Sequence, residues 1–358
     1  MRPNRFVQRR LAYIAAAILL LVAALPVSAQ SLSRLELLSS WLKGDPGGTE
    51  RSLSAALGLG RLQDFTLRCA VDFETDRGDY SQAQQILTRA TQLNGDKELI
   101  SRREAKLRAA MGDFAGAEKA ALKGRQWDGR DIKKLSVISP AALNALGEVY
   151  AARGLHQQAL AIFEKSMKES RRQAPDGWTE AKVLGAFSLL ALDDRKTALD
   201  AAEVALAFAR EQWGDRSPRT LDALDVLGVA LTALGRYREA DDWLAVAIAS
   251  RKSLYDRPHP KTAASLLHAA RSMAAQGNHL AAIELAETGV REMQDSLPAA
   301  NARTAWALAE AAEVYQIAGK EAAARGRLES AGRLAALFLG EDAPYVQGLA
   351  RKLEGYSK

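Results

Sequence analysis

The chain has 358 residues, a formal net charge of +6 and only 6% aromatic residues. Its first 29 residues hold four arginines and no acid, and without them the charge falls to +2, with no basic run interleaved with aromatics, so nothing marks a nucleic-acid surface. One cysteine, Cys69, excludes an internal disulfide; among Leu67, Ala70 and Val71 it reads as a small buried apolar residue.

Arg2, Arg5, Arg9 and Arg10 precede an uncharged apolar run from Leu11 to Leu25, then Pro26 and the small residues Val27-Ser28-Ala29. This is the pattern of a secretory signal peptide over 1–29, cleaved between Ala29 and Gln30. The run is shorter than the ~20 residues that span a bilayer. The expectation is a periplasmic or secreted protein, with an uncleaved inner-membrane anchor as the alternative. Residues 30–65 read as an N-terminal helical cap. Leu32, Leu35, Leu38 and Trp41 have helical spacing, Asp45-Pro46-Gly47-Gly48 is a break, and Thr49 opens a second helix. A stack of hairpins needs such a cover, because its end unit has an apolar face without a neighbour.

From 66 to 339 one unit is used again and again. Turn residues fall at Gly78, Gly112, Gly154, Asp193, Gly235, Gly277 and Gly319, separated by 34, 42, 39, 42, 42 and 42 residues. Five residues after each stands an alanine: Ala83, Ala117, Ala159, Ala198, Ala240, Ala282 and Ala324. Seven residues before, six of seven positions are small, Val71 being the exception. The turn residue is expected to end the first helix in a left-handed conformation, which Asp193 tolerates better than most residues. The small residue and the alanine are expected to face each other and let the helices approach closely. Pro218 and Pro260 bar helix continuation, and Thr220, Thr262 and Thr304 are placed to cap or begin the next helix. Residues 340–358 read as a C-terminal capping helix.

This pattern resembles the tetratricopeptide repeat family, best in Leu143 to Phe163, with Leu146-Gly147, Tyr150, Gly154, Ala159 and Phe163 in the family's places. The 42-residue units, with the junction Asp256-Arg257-Pro258-His259-Pro260, resemble the longer repeats of kinesin light chains. The resemblance implies an all-α, right-handed superhelical solenoid of antiparallel helix hairpins, about seven units plus terminal capping helices.

No catalytic constellation is found. Gly-x-Ser-x-Gly, the P-loop and Gly-x-Gly-x-x-Gly are absent. His156, His259, His268 and His279 have no metal-ligand spacing, and are assigned surface or packing roles. Asp193-Asp194 and Asp241-Asp242 complement helix N-termini. No cofactor and no metal site is expected.

The family resemblance implies that the first helix of each hairpin lines a concave groove. Counting 13, 10, 6 and 3 back from each turn gives the candidate partner-binding residues Arg102, Lys106, Asn144, Glu148, Asp222, Asp225, Arg271, Trp306 and Glu313, with Glu180, Phe187, Thr232 and Gln316 beside them. Trp306 reads as a partner's anchor or as filler against the next hairpin. The expected function is a non-catalytic scaffold or adaptor binding a protein or peptide, with no nucleic acid and with membrane only through an uncleaved signal. The rival readings are a recruiting or regulatory subunit of a separately encoded, caspase-like hydrolase, and an enzyme with an unrecognised site.

Overall fold

The computed structural model describes residues 71–357 except 73, 93–96, 124–126, 128–131, 136–137, 171–174, 256 and 298–299. The signal segment 1–29, the N-terminal cap 30–65, Cys69 and the start of the array at Thr66 lie outside the described residues. Among the described residues every regular element is helical. The α-helices are α1 Tyr80–Gln92, α2 Lys97–Met111, α3 Phe114–Leu122, α4 Pro140–Ala152, α5 His156–Ser170, α6 Pro175–Ala191, α7 Arg195–Trp213, α8 Pro218–Ala233, α9 Tyr237–Leu254, α10 Pro260–Ala275, α11 His279–Ser296, α12 Ala302–Ile317, α13 Glu321–Leu339 and α14 Pro344–Glu354.

Two compact units are present. One takes in the described residues up to Glu74 with those of Ser81–Ile100, the other those of Thr75–Tyr80 with Ser101–Lys358. In the first, α1 buries Ala83, Ile86, Leu87 and Ala90, one stripe at helical spacing. The second holds the stacked hairpins. There consecutive helices pack on each other, and the first helices α4, α6, α8, α10 and α12 also pack along one another as an inner layer.

The hairpin turns follow one scheme. All six turn glycines have positive φ, and Asp193 joins them at φ 64°. At Gly235 the turn residue's N–H bonds Thr232 O at 3.0 Å, and the next N–H, from Arg236, bonds Leu231 O at 2.9 Å. The same pair of bonds closes the turns at Gly112, Gly154, Asp193, Gly277 and Gly319. Orphan carbonyls at the helix end are thereby satisfied within the chain.

Packing inside a hairpin adds a partner that the sequence expectation did not name. At Gly147 and Gly228 the atoms nearest a would-be Cβ belong to the large residue nine after the turn. A Cβ on Gly228 would stand 2.5 Å from Leu244 Cγ, and Gly147 is covered in the same way by the Phe163 ring. The alanines are buried all the same, Ala240 at 0% exposure. The caps differ too. Ser217, His259 and Asn301, 42 residues apart, are the N-caps of α8, α10 and α12, and their side chains accept bonds from the first-turn N–H groups. Thr220, Thr262 and Thr304 lie inside the first turn instead, three residues past the cap, with Pro218 and Pro260 at the first helical position of α8 and α10.

The second unit closes on itself. Its early turns dock on helix starts five units further along the chain. Gly78 lies against the His259 ring, Gly112 against Asn301, and Gly154 against Pro344 and Tyr345. Asn301 Nδ2 donates to Met111 O at 2.8 Å, and the Tyr345 N–H donates to Arg153 O at 3.0 Å. Arg257 and Asp79 form an ion pair at 2.8 Å. Among the described residues no helix is long and apolar enough to cross a membrane.

Candidate functional site

Closure turns the inner face of the second unit into a cavity of about 180 Å³. Its walls come from the first helices and from the segment that closes on them. α2 gives Lys106, α4 gives Glu148, α6 gives Glu180, Leu184 and Phe187, and α8 gives Arg219, Asp222 and Asp225. Lys261, Ala264 and His268 of α10 and Arg303 of α12 continue the wall, and Asp76 and Tyr80 face them. Arg219, Lys261 and Arg303 form a row, each 42 residues from the next and two residues past a cap. One cation per long unit is thus delivered to the same cavity. This row was legible in the sequence, but next to prolines and threonines it reads as part of a junction.

Charges of both signs are paired across the walls. Arg251 of α9 is 0% exposed and donates to Asp225, to Asp222 at 2.9 Å, to Ser265 Oγ at 2.6 Å and to Lys261 O at 2.9 Å. It lies behind the wall and ties α9 to α8 and α10. Burial raises the Asp225 carboxyl above its ordinary value despite Arg251. Burial also acts against Asp222, but Lys261, Arg251 and Arg219 outweigh it and hold that carboxyl below the usual range. Asp76, bonded to Lys106 at 3.0 Å, is likewise held below the usual range: burial opposes this, and Lys106, Arg219 and Lys261 prevail. Arg303 pairs with Glu148 and donates to Ala109 O at 2.8 Å, while burial raises Glu148. Burial acts against the Arg219 cation, yet Glu180, Asp76, Asp176 and Asp222 together hold its pKa above the ordinary value. Such pairing keeps buried charges tolerable, since an unpaired one is costly.

Two histidines stand in this setting, both packed against aromatic rings. His259 Nδ1 accepts from the Lys261 N–H at 3.2 Å, and its ring stacks on Tyr255 at 3.7 Å between centroids. His268 sits between Phe187 and Trp306, with ring centroids 5.6 and 5.7 Å away. Burial pushes both imidazoles down to about 3, assisted by Lys261 and Arg251 at His259 and by Arg271 and Arg251 at His268. Both are neutral near pH 7. Among the described residues no group of three His, Cys, Asp or Glu side chains is placed to hold a metal ion.

Of the nine residues counted from the turns, Lys106, Glu148, Asp222 and Asp225 stand in the cavity wall. Asn144 is buried, with its amide on Gly177 O at 2.8 Å and Glu180 at 3.1 Å, where it joins α4 to α6. Arg102 is half-buried on α2. Trp306 lies edge-on to His268 beside the cavity. Arg271 and Glu313 belong to a second cluster toward the C-terminal end. There Arg271 stands 3.5 Å from both Glu310 and Glu313, and Lys352 of α14 bonds Glu313. Burial, and then Glu313, push the Glu310 carboxyl up. Arg219, Lys261, Arg251, Arg303, Asp76, His259 and His268 were outside the counted set. They sit 16 or 9 residues before a turn, on a second helix, or in the closing segment, where counting at 13, 10, 6 and 3 does not reach.

Comparison with known families gives tetratricopeptide repeat models at residues 220–261 and 142–176. The chain carries tetratricopeptide repeats. Those two segments hold the turns at Gly235 and Gly154. Solved structures show the same helical solenoid. NprR in complex with its cognate peptide NprX is 14% identical, covering 90% of this chain and 97% of that one, with a TM-score of 0.55. Rap protein complexed with competence and sporulation factor is 13% identical, covering 91% and 94%, with a TM-score of 0.53. A Podosopora anserina putative kinesin light chain with nearly identical TPR-like repeats is 22% identical over 55% of this chain and 94% of that one, at a TM-score of 0.38. Comparison with curated proteins gives no match. The hairpins turn at the residues that the spacing marked, while the inner face carries more charge than the counted positions indicated.

Proposed function

We propose that this chain is an exported, non-catalytic scaffold of a bacterial envelope that holds a peptide segment of a partner protein in the cavity of its second unit. One observation carries this reading. The first helices of successive repeats deliver paired acids and bases, with an apolar stretch at Leu184, Phe187 and His268, to a single cavity of about 180 Å³. A peptide has the matching chemistry: backbone donors and acceptors, charged ends and apolar side chains. The walls are held by ion pairs and by packing between repeats, so the receptor loses little ordering entropy on binding. The likeness to NprR, whose structure holds a peptide, fits the same use of the fold. A binding role, not turnover, also suits two histidines committed to a cap and to an aromatic sandwich. Export rests on the basic start, apolar run and small residues of 1–29.

The test is photocrosslinking in intact cells. A benzoylphenylalanine placed at Ala264, in the cavity wall, is expected to capture a discrete partner. The same group at Val246, exposed on α9 and outside the cavity lining, serves as the control. Capture from Val246 alone would sink the cavity as the binding place.

A further inference from the structure

We infer that Arg219 is an anchoring cation of the cavity and takes a single carboxylate of the ligand, whose apolar body lies along Leu184, Phe187 and His268. The inference rests on the reading of this cavity as the binding site. In the row Arg219, Lys261 and Arg303, two members already have direct partners. Lys261 bonds Asp222 Oδ2, and Arg303 bonds Glu148 and the Ala109 carbonyl. Arg219 differs. Its side chain is only 12% exposed, yet its nearest carboxylate oxygens stand at 3.5 Å on Asp176 and at 3.8 Å on Glu180 and Asp222. These distances lie beyond the N–H···O range of about 2.7–3.2 Å. Its charge is compensated, but among the described residues these carboxylates do not fill its donors.

The neighbouring acids are engaged elsewhere. Asp222 is held by Lys261 and Arg251, and Glu180 accepts from the Asn144 amide. A guanidinium has five N–H donors in a planar fork that matches a carboxylate in two parallel bonds. The acids also set the ligand's charge. Asp76, Asp176, Glu180 and Asp222 all act on Arg219, so a doubly charged phosphate meets about twice the repulsion that one carboxylate meets. The apolar stretch beside Arg219 excludes a ligand that is charged throughout. A peptide C-terminus with an apolar last residue and a small organic acid share this chemistry.

Retention on the immobilised full-length protein separates the outcomes. The probes are a pool of N-acetylated random tetrapeptides made once as free acids and once as C-terminal amides, and 3-phenylpropanoate as competitor. The wild type is expected to retain acids at least tenfold over amides, with apolar last residues enriched. Arg219→Gln should lose that preference, and Arg219→Lys, which keeps the charge but not the fork, should retain part of it with unchanged helicity. Competition by 3-phenylpropanoate would identify a free organic acid as sufficient, and failure to compete would identify the peptide terminus; either supports the anchor. Equal retention of acids and amides overturns the anchor while the peptide-binding reading stands. Retention of neither pool overturns both, and a preference that survives Arg219→Gln removes Arg219 from the site.

Discussion

Arg251 shows what a single buried charge does in this array. With no exposure and bonds to two aspartates, a serine and a carbonyl, it is the joint between α8, α9 and α10. Removing one partner of such a group leaves the others buried and uncompensated, at a cost of about 3–5 kcal/mol. Arg251→Met is therefore expected to lower the denaturation midpoint by that order, and adding Asp225→Leu to recover part of it. No recovery would mean that Asp225 is not the group left stranded. For the same reason Asp222→Lys with Asp225→Lys tests stability before it tests binding: the new ammonium groups would face Arg251 and Arg219. The pH response belongs to the histidines. His268 is held at about 3 against an ordinary 6.5, so its folded value is depressed. The stability this represents is present above about 6.5 and is lost as the pH falls toward 3, because the unfolded chain binds the proton first. At pH 5 the loss is about 2 kcal/mol for His268, with a similar loss at His259. His268→Phe should reduce the fall in stability between pH 7 and pH 5 by about 2 kcal/mol. An unaltered fall in that variant would place the titration elsewhere.

At the level of the helix hairpin, close approach decides stability, and this is where the sequence is most readable. A turn glycine, a small residue seven before it and an alanine five after it are local demands, each visible as a residue type at a fixed distance. Ala240 is fully buried, so Ala240→Leu overpacks the hairpin and is expected to cost about 1–3 kcal/mol in thermal or chemical unfolding. Gly228→Ala should cost a similar amount, since Leu244 occupies the space its methyl would take. Asp193 gives the opposite sign. Its left-handed φ strains an L-residue, and its side chain bonds the exposed Arg195. Asp193→Gly is expected to be neutral or stabilising by up to about 1 kcal/mol, whereas a β-branched residue there should destabilise. A destabilised Asp193→Gly would show that the surface pair outweighs the backbone strain. What the residue types did not reveal is which partner fills a gap. Periodicity marks Gly147 and Gly228 as small, but only the rotation of the second helix brings Phe163 and Leu244 over them.

At the scale of the whole second unit, the decisive contacts join repeats five units apart, and no periodic reading predicts them. A repeat pattern describes each unit's fit to its neighbours; closure depends on accumulated curvature, to which every junction contributes a little. The residues that close the unit are the caps Asn301 and His259 and the N–H of Tyr345, which in sequence look only like helix starts. Asn301 has two separable tasks. Its Oδ1 caps α12 through the Arg303 and Thr304 N–H groups, and its Nδ2 holds Met111 O of the early turn at Gly112. Ser217 performs only the first task, capping α8 through the Thr220 N–H. Comparing the two substitutions isolates closure. Asn301→Ala and Ser217→Ala should each cost about 1 kcal/mol as lost caps. Only Asn301→Ala should speed amide hydrogen exchange at residues 109–113, where the turn is no longer held. It should also loosen Arg303, which reaches Ala109 O and Glu148 from the same cap and completes the cavity wall. If residues 109–113 exchange equally fast in both variants, the early turn is fixed by its own hairpin, and the cavity does not depend on the closing contact at Asn301.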